Sequence, residues 1–127
     1  MGNVLLVAVG GGVGAVARYG LGVWAVRTFG HFWPVGTLAA NVIGGALMGL
    51  LVGFLAHRGG DEQESLRLLL GVGLLGGFTT FSAFSLETVL MIQQRDWGQA
   101  AAYVTASVGL SIAALMAGVM LARRLFA

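Results

Sequence analysis

Four long apolar stretches, separated by short polar segments, restrict the folds open to this chain more than any other feature. A helix that spans a bilayer needs about 20 mostly apolar residues, so four such helices would take up most of the 127 residues. We predict helices over residues 4–26, 34–57, 67–93 and 98–122. The sequence therefore predicts an all-α membrane protein with a single domain, residues 1–127, of four transmembrane helices.

The composition agrees with this prediction and excludes several classes of protein. Only 9% of the residues are charged, whereas a soluble domain carries about 25%, and the mean hydropathy is +0.90. The absence of cysteine excludes disulfides, a thiol nucleophile and cysteine metal sites. The seven basic residues are scattered arginines, so no basic stripe for nucleic acid is present. We expect the first stretch to be a retained helix rather than a signal peptide, because no basic residue precedes it and three more spans follow.

The arginines specify the orientation in the membrane poorly. With four helices, both termini lie on one side, together with Arg58, Arg67, Arg123 and Arg124. Arg27 and Arg95 lie on the other side, with Arg18 if it is at the membrane edge. An excess of basic residues in the loops normally sets the orientation, and here the two sides are nearly equal. This near balance is compatible with insertion in both orientations, which would permit an antiparallel homodimer.

Several glycines recur at every fourth position, namely Gly10 and Gly14, Gly45, Gly49 and Gly53, and Gly73 and Gly77. Small residues at this spacing let helix backbones approach closely. The spacing is equally compatible with packing inside one chain and with a dimer interface.

The third apolar stretch contains Gly76-Gly77-Phe78-Thr79-Thr80 near its middle. Paired glycines are flexible, and threonine hydroxyls compete for backbone hydrogen bonds, so we predict that the helix is broken near Gly76–Thr80. A break at membrane depth is tolerated only inside protein or against a water-filled cavity. It would free carbonyls that suit a cation and N–H groups that suit an anion. The alternative is a continuous helix with glycines for packing.

Polar side chains inside the spans are candidate site residues. Asn41 offers two donors and an acceptor, and either joins helices or contacts a ligand. Glu87 is the one acid inside a span, which is a functional hypothesis by default; it could also lie near the interface or pair with Arg18. Arg18 either reaches the membrane surface or lies in a basic, anion-concentrating entrance.

Two further sets of candidate residues each lie on one face of a predicted helix. Phe81 and Phe84 are three residues apart, and their positive ring edges could line an anion path, although plain packing explains them as well. Tyr103, Ser107 and Ser111 recur every four residues in the fourth span, where they would form a row of hydroxyls or return bonds to their own backbone.

Catalysis has little support in this sequence. Residues 4–17 imitate a dinucleotide fingerprint, but the acid expected about 20 residues later is missing. His31 and His57 lie near loops, no histidine lies inside a span, and no metal-ligand cluster or catalytic triad is evident. We expect that the chain is not an enzyme.

These residues resemble the Fluc (CrcB) fluoride ion channels, and the match runs through all four spans. The matching pieces are Gly11–Gly14 with Arg18-Tyr19, Gly36–Gly44 with its Asn41, and Gly76–Ser85 with Glu87. The third piece is highly specific. Two positions depart from the family: Ala83 stands where threonine is common, and Phe78 where leucine is common.

The resemblance implies an antiparallel, dual-topology homodimer with two fluoride pores in the cell inner membrane or plasma membrane. It implies that fluoride contacts the site residues Phe81, Phe84, Asn41, Tyr103, Ser107, Ser111 and Glu87, with Arg18 at the pore entrance. It also implies that the backbone carbonyls of Gly76 and Thr79 hold a structural sodium ion at the dimer interface. The expected partners are a second copy, fluoride and lipid, with no nucleic acid and no obligate protein partner.

We therefore predict a passive, fluoride-selective channel that exports fluoride. A proton-coupled exporter of small cationic drugs, with Glu87 as its carboxylate, is the first alternative. A non-transporting membrane assembly subunit is the second. The Gly-Gly-x-Thr-Thr-Phe sequence argues against both.

Overall fold

The computed structural model describes residues 2–31, 33–56 and 61–126. The first two spans are α1, Gly2–Phe29, and α2, Val35–Leu55. The third consists of α3, Asp61–Leu66, a π-helical segment, Arg67–Leu75, the short α4, Gly76–Phe78, and α5, Ser82–Gln93. The fourth is α6, Trp97–Phe126.

The described residues include four helices that are long and apolar enough to cross a membrane, which confirms the predicted all-α membrane class. The observed helices differ from the predicted ones mainly at their ends. The first and fourth are several residues longer, because amphipathic ends such as Arg27 and Arg123 remain helical beyond the apolar core. Gly30, with a φ of 77°, follows the end of α1. The predicted end of the second helix at His57, and Arg58 beside it, lie outside the described residues.

The third span is interrupted close to the predicted position. Gly76–Phe78 are still helical, and the backbone becomes extended at Thr79, with φ −86° and ψ 157°. The interruption lies within the predicted range Gly76–Thr80, at its threonine pair rather than at its glycine pair. The π-helical segment before it was not predicted, and its wider turns let the Gly76 N–H donate to the Gly71 carbonyl five residues earlier.

The glycine pairs are used for packing within the chain. A Cβ on Gly10 or Gly14 would collide with the backbone of the third span near Leu74. A Cβ on Gly49 would collide with the α6 backbone at Leu115 and Val119. The structure therefore shows packing inside one chain, the first of the two explanations for these glycines. They let α1 approach the third span and α2 approach α6.

Candidate functional site

Asn41 on α2 holds the break in the third span. Its side-chain Nδ2 donates to the Thr80 carbonyl at 2.9 Å, and its Oδ1 accepts the Thr80 backbone N–H at 2.8 Å. One amide therefore satisfies both polar groups of the residue at the break, which would otherwise lack helical partners. A second hydrogen on Nδ2 is left for another acceptor.

Thr80 begins the second half of the span. Its hydroxyl accepts the N–H of Ala83 at 3.1 Å, as a capping residue does at a helix start. In a continuous α-helix the N–H groups of Thr80 and Ala83 would instead donate to the carbonyls of Gly76 and Thr79. Because these two donors are bound elsewhere, the two carbonyls predicted to hold a cation lose their helical partners at the break.

Aromatic rings continue from the break toward α6. The ring centroids of Phe81 and Phe84 are 5.4 Å apart, and those of Phe84 and Tyr103 are 5.3 Å apart, both in tilted arrangements. Phe84 and Tyr103 are buried, whereas Phe81 is 76% exposed in the single chain. The rings thus form a row that starts at an open surface and ends in the interior.

Two serine hydroxyls of α6 face the same region without hydrogen-bond partners. Ser107 is only 5% exposed, and neither its Oγ nor that of Ser111 finds a partner among the described residues. Both serines line a groove of about 440 Å³, together with Asn41, Phe81 and Phe84. Buried hydroxyls are normally hydrogen-bonded, so the Ser111 hydroxyl is available to a bound group, whereas the Ser107 hydroxyl also faces that of Tyr103. Return bonds to their own helix, the alternative explanation, are absent from this part of the structure.

Glu87 lies further along α5 and accepts two hydroxyl protons. The Thr37 hydroxyl donates to its Oε1 at 2.6 Å, and the Tyr103 hydroxyl donates to its Oε2 at 3.3 Å. Glu87 and Thr37 also line a second cavity of about 340 Å³ near the start of α2. We refer to the site residues on α2, on α5 and the residue before it, and on α6 (Asn41, Phe81, Phe84, Glu87, Tyr103, Ser107 and Ser111) as the polar track.

Arg18 is not the partner of Glu87. Its Nε lies 3.4 Å from the Gly77 carbonyl at the end of α4, where helical acceptors are left over. The alternative in which Glu87 pairs with Arg18 is therefore wrong, because hydroxyls from α2 and α6 donate to the carboxylate instead. Arg18 also lines a surface pocket with Arg27 and Thr37.

The structure brings the predicted site residues of the track together, but the sequence reasoning missed three residues around it. Thr37 belongs to a matching segment but is not one of the predicted site residues, and the capping role of Thr80 is not among the predictions. Trp33, whose ring lies edge-on against Tyr103 at 5.5 Å, was not singled out at all. An aromatic residue directly before the only proline was the one local signal for Trp33.

The described residues contain no group of three or more histidine, cysteine, aspartate or glutamate side chains that could hold a metal ion. The fold and site define a small multi-pass membrane protein in which polar groups gather beside a broken helix, an arrangement used for ion and substrate sites in membranes.

Comparison with known proteins gives the family. The family described as "CrcB-like protein, Camphor Resistance (CrcB)" matches residues 5–119, and the chain belongs to it. A relative from Phenylobacterium zucineum (strain HLK1), named "Fluoride-specific ion channel FluC", is 66% identical over 98% of both chains. Proteins of the same name from Caulobacter sp. (strain K31) and Agrobacterium fabrum (strain C58 / ATCC 33970) are 61% and 49% identical, over 98% or more of each chain. These relatives are named as ion channels and not as enzymes, which agrees with the expectation for this chain.

Proposed function

We propose that this chain forms a passive, fluoride-selective channel in the cell inner membrane or plasma membrane. The channel exports fluoride and so relieves fluoride toxicity. Two observations support the proposal: the printed names of its relatives, and the buried, unpartnered hydroxyls of Ser107 and Ser111 in the groove of the phenylalanines. The names of the relatives carry it, and the buried hydroxyls agree with it, because an anion requires hydrogen-bond donors.

The proposed mechanism replaces the water shell of fluoride with protein donors. The free N–H of Asn41 and the serine hydroxyls would donate to the ion, and the positive ring edges of Phe81 and Phe84 would face it. Selectivity would arise because larger anions fit poorly in a narrow path built from such groups. Arg18 would raise the concentration of anions at the entrance.

The driving force is the membrane potential. Hydrogen fluoride forms in acidic surroundings, crosses the bilayer as a neutral molecule and ionises inside the cell. A passive path then lets fluoride leave with a gain of about 2.3 kcal/mol per charge for each 100 mV. No coupling ion is required.

The working unit in this proposal is an antiparallel, dual-topology homodimer with two pores. Phe81 is 76% exposed, and the groove beside it opens to the surface of the single chain. A second copy would cover this side and separate the path from lipid. The near balance of arginines on the two sides is compatible with both orientations.

A sodium ion at the dimer interface would have suitable ligands at the break. The carbonyls of Gly76 and Thr79 have lost their helical donors, and hard cations bind carbonyl oxygens. Two such carbonyls from each of two copies would hold the ion and join the subunits. If so, replacing sodium by N-methylglucamine should lower the thermal stability of the purified dimer, and an unchanged melting temperature would contradict this assignment.

Ion efflux from liposomes that contain the purified protein tests the function. We expect rapid fluoride loss, read with a fluoride electrode, and negligible chloride loss. Phe81→Ile should reduce the fluoride flux and leave the dimer intact on size-exclusion chromatography, because the ring is exposed and supports little of the fold. Absence of fluoride loss from dimeric wild-type protein would overturn the proposal and favour drug–proton exchange at Glu87.

A further inference from the structure

The connection between α1 and α2 reaches across the chain to the start of α6. The indole Nε1 of Trp33 donates to Oε1 of Gln99 on the first turns of α6. The same indole ring meets Tyr103 edge-on, with centroids 5.5 Å apart and an interplanar angle of 80°. Gln99 and Tyr103 are four residues apart, so they lie on one face of α6.

Tyr103 is consequently held from three directions. Phe84 packs on its ring from α5, the Glu87 carboxylate accepts its hydroxyl proton at 3.3 Å, and the Trp33 ring meets it edge-on. The side chain is 0% exposed. Phe84 and Glu87 belong to the polar track, whereas Trp33 comes from the connector and lines the second cavity together with Glu87.

The hydrogen bond to Gln99 gives Trp33 a defined orientation. A ring that is only packed can slide or tilt, but an indole with its N–H bound to an acceptor has its plane fixed relative to α6. Gln99 is itself placed by the start of α6, where its backbone N–H lies 3.4 Å from the Asp96 carboxylate. The geometry therefore connects the first turn of α6, through Gln99 and Trp33, to the ring of Tyr103.

We infer that Trp33 and Gln99 form a clamp that positions Tyr103 in the polar track. Trp33 is a positioning residue: it acts through the tyrosine and does not contact the ion. When the clamp is lost, the tyrosine ring gains freedom, and its hydroxyl no longer stays at Glu87. This inference rests on the proposed function, because positioning matters only if the track conducts.

A double-mutant cycle on fluoride efflux tests the clamp. Trp33→Phe keeps a ring and removes the N–H donor, and Gln99→Met keeps the length and removes the acceptor. Each change should lower the fluoride flux per folded dimer by about three- to tenfold, the factor that corresponds to one ordinary hydrogen bond. The double variant should be no slower than either single one, since both remove the same interaction. Independent, multiplying losses would overturn the clamp.

A matched control separates positioning from general damage. Trp24 also packs edge-on against a phenylalanine, Phe29, at 5.8 Å, but it is 55% exposed on α1 and lies away from the track. Trp24→Phe should leave the flux unchanged. If Trp33→Phe lowers only the yield or melting temperature and not the flux per dimer, the role is structural and the inference is wrong.

Tryptophan fluorescence distinguishes failure of the clamp from failure of the proposed function. In a Trp24→Phe/Trp97→Phe background, Trp33 is the only tryptophan. Gln99→Met should shift its emission to shorter wavelength, because the indole loses a hydrogen-bond acceptor. An unchanged spectrum would overturn the clamp whether or not the protein conducts. A shifted spectrum in a protein that passes no fluoride would overturn the proposed function, and with it the positioning role.

Discussion

At the scale of single residues, Asn41 determines where the third span can be interrupted. Its amide is bound to both the N–H and the carbonyl of Thr80, two groups in the middle of a membrane span. An unpaired backbone group in such surroundings is costly. Asn41 therefore has a structural task that is separate from any contact with an ion, and the two explanations considered for it are compatible.

Replacing Asn41 by leucine should destabilise the protein. Both backbone groups of Thr80 would lose their partner, at a cost of about 1–3 kcal/mol for each. The expected result is a lower melting temperature in detergent together with reduced fluoride flux. Asn3→Leu is the matched control, since Asn3 is the only other asparagine and is exposed near the start of α1. An equal melting temperature for wild type and Asn41→Leu would show that the break does not depend on this amide.

Ser107 differs from Asn41, because its replacement should reduce the fluoride flux without a matching loss of stability. Its hydroxyl is buried and has only the Tyr103 hydroxyl as a polar neighbour, without a hydrogen bond of good geometry. Ser107→Ala therefore removes a poorly satisfied group and should change the melting temperature little. Loss of a donor from the track should reduce the fluoride flux by about two- to tenfold.

Thr88→Val is the comparison for Ser107, because the Thr88 hydroxyl is already bound to the Phe84 carbonyl at 2.8 Å. That variant should conduct normally. A Ser107→Ala channel with wild-type flux would remove this hydroxyl from the conduction path.

At the scale of helices, much could be predicted because the signal is local. Four apolar stretches of sufficient length predict four spans, and Gly-Gly-x-Thr-Thr predicts a weak point in the third. The position of the break could not be predicted to the residue, since it depends on a hydrogen bond between Asn41 and Thr80, 39 residues apart. The contact of Trp33 with Gln99 spans 66 residues and was missed for the same reason.

Close helix contacts at glycine lead to a prediction for α2 and α6. A Cβ at Gly49 would meet the backbone of Leu115 and Val119, which cannot move aside as a flexible side chain can. Gly49→Ala should therefore push the helices apart and lower the stability by about 1–3 kcal/mol. Thermal unfolding in detergent, followed by size-exclusion chromatography, measures this loss.

Gly109 on α6 is the control for this change. Nothing lies within 4 Å of a Cβ added there in the single chain, and alanine favours a helix over glycine by roughly 0.5–1 kcal/mol. Gly109→Ala should be neutral or slightly stabilising. Equal melting temperatures for the two alanine variants would mean that α2 and α6 are less tightly packed than described.

At the scale of the whole molecule, the single chain leaves its polar track incomplete. Phe81 at one end is 76% exposed, while Tyr103 at the other is fully buried. The proposed channel would need a covering surface on this open side. Four arginines on one side against three on the other, with Arg18 beside the Gly77 carbonyl, give a weak preference for either insertion, which is compatible with an inverted second copy.

Site-directed labelling tests this arrangement in a chain that contains no native cysteine. Asn3→Cys and Gly98→Cys place single thiols at opposite ends of the helices, and both positions are exposed. Because the arginines favour neither orientation, a maleimide that cannot cross the membrane should label about half of the copies of each variant in intact cells. Full labelling of both after detergent treatment shows that the thiols are reactive. Near-complete labelling of one variant and almost none of the other would establish a single orientation, and the antiparallel dimer would then be wrong even if the protein conducts fluoride.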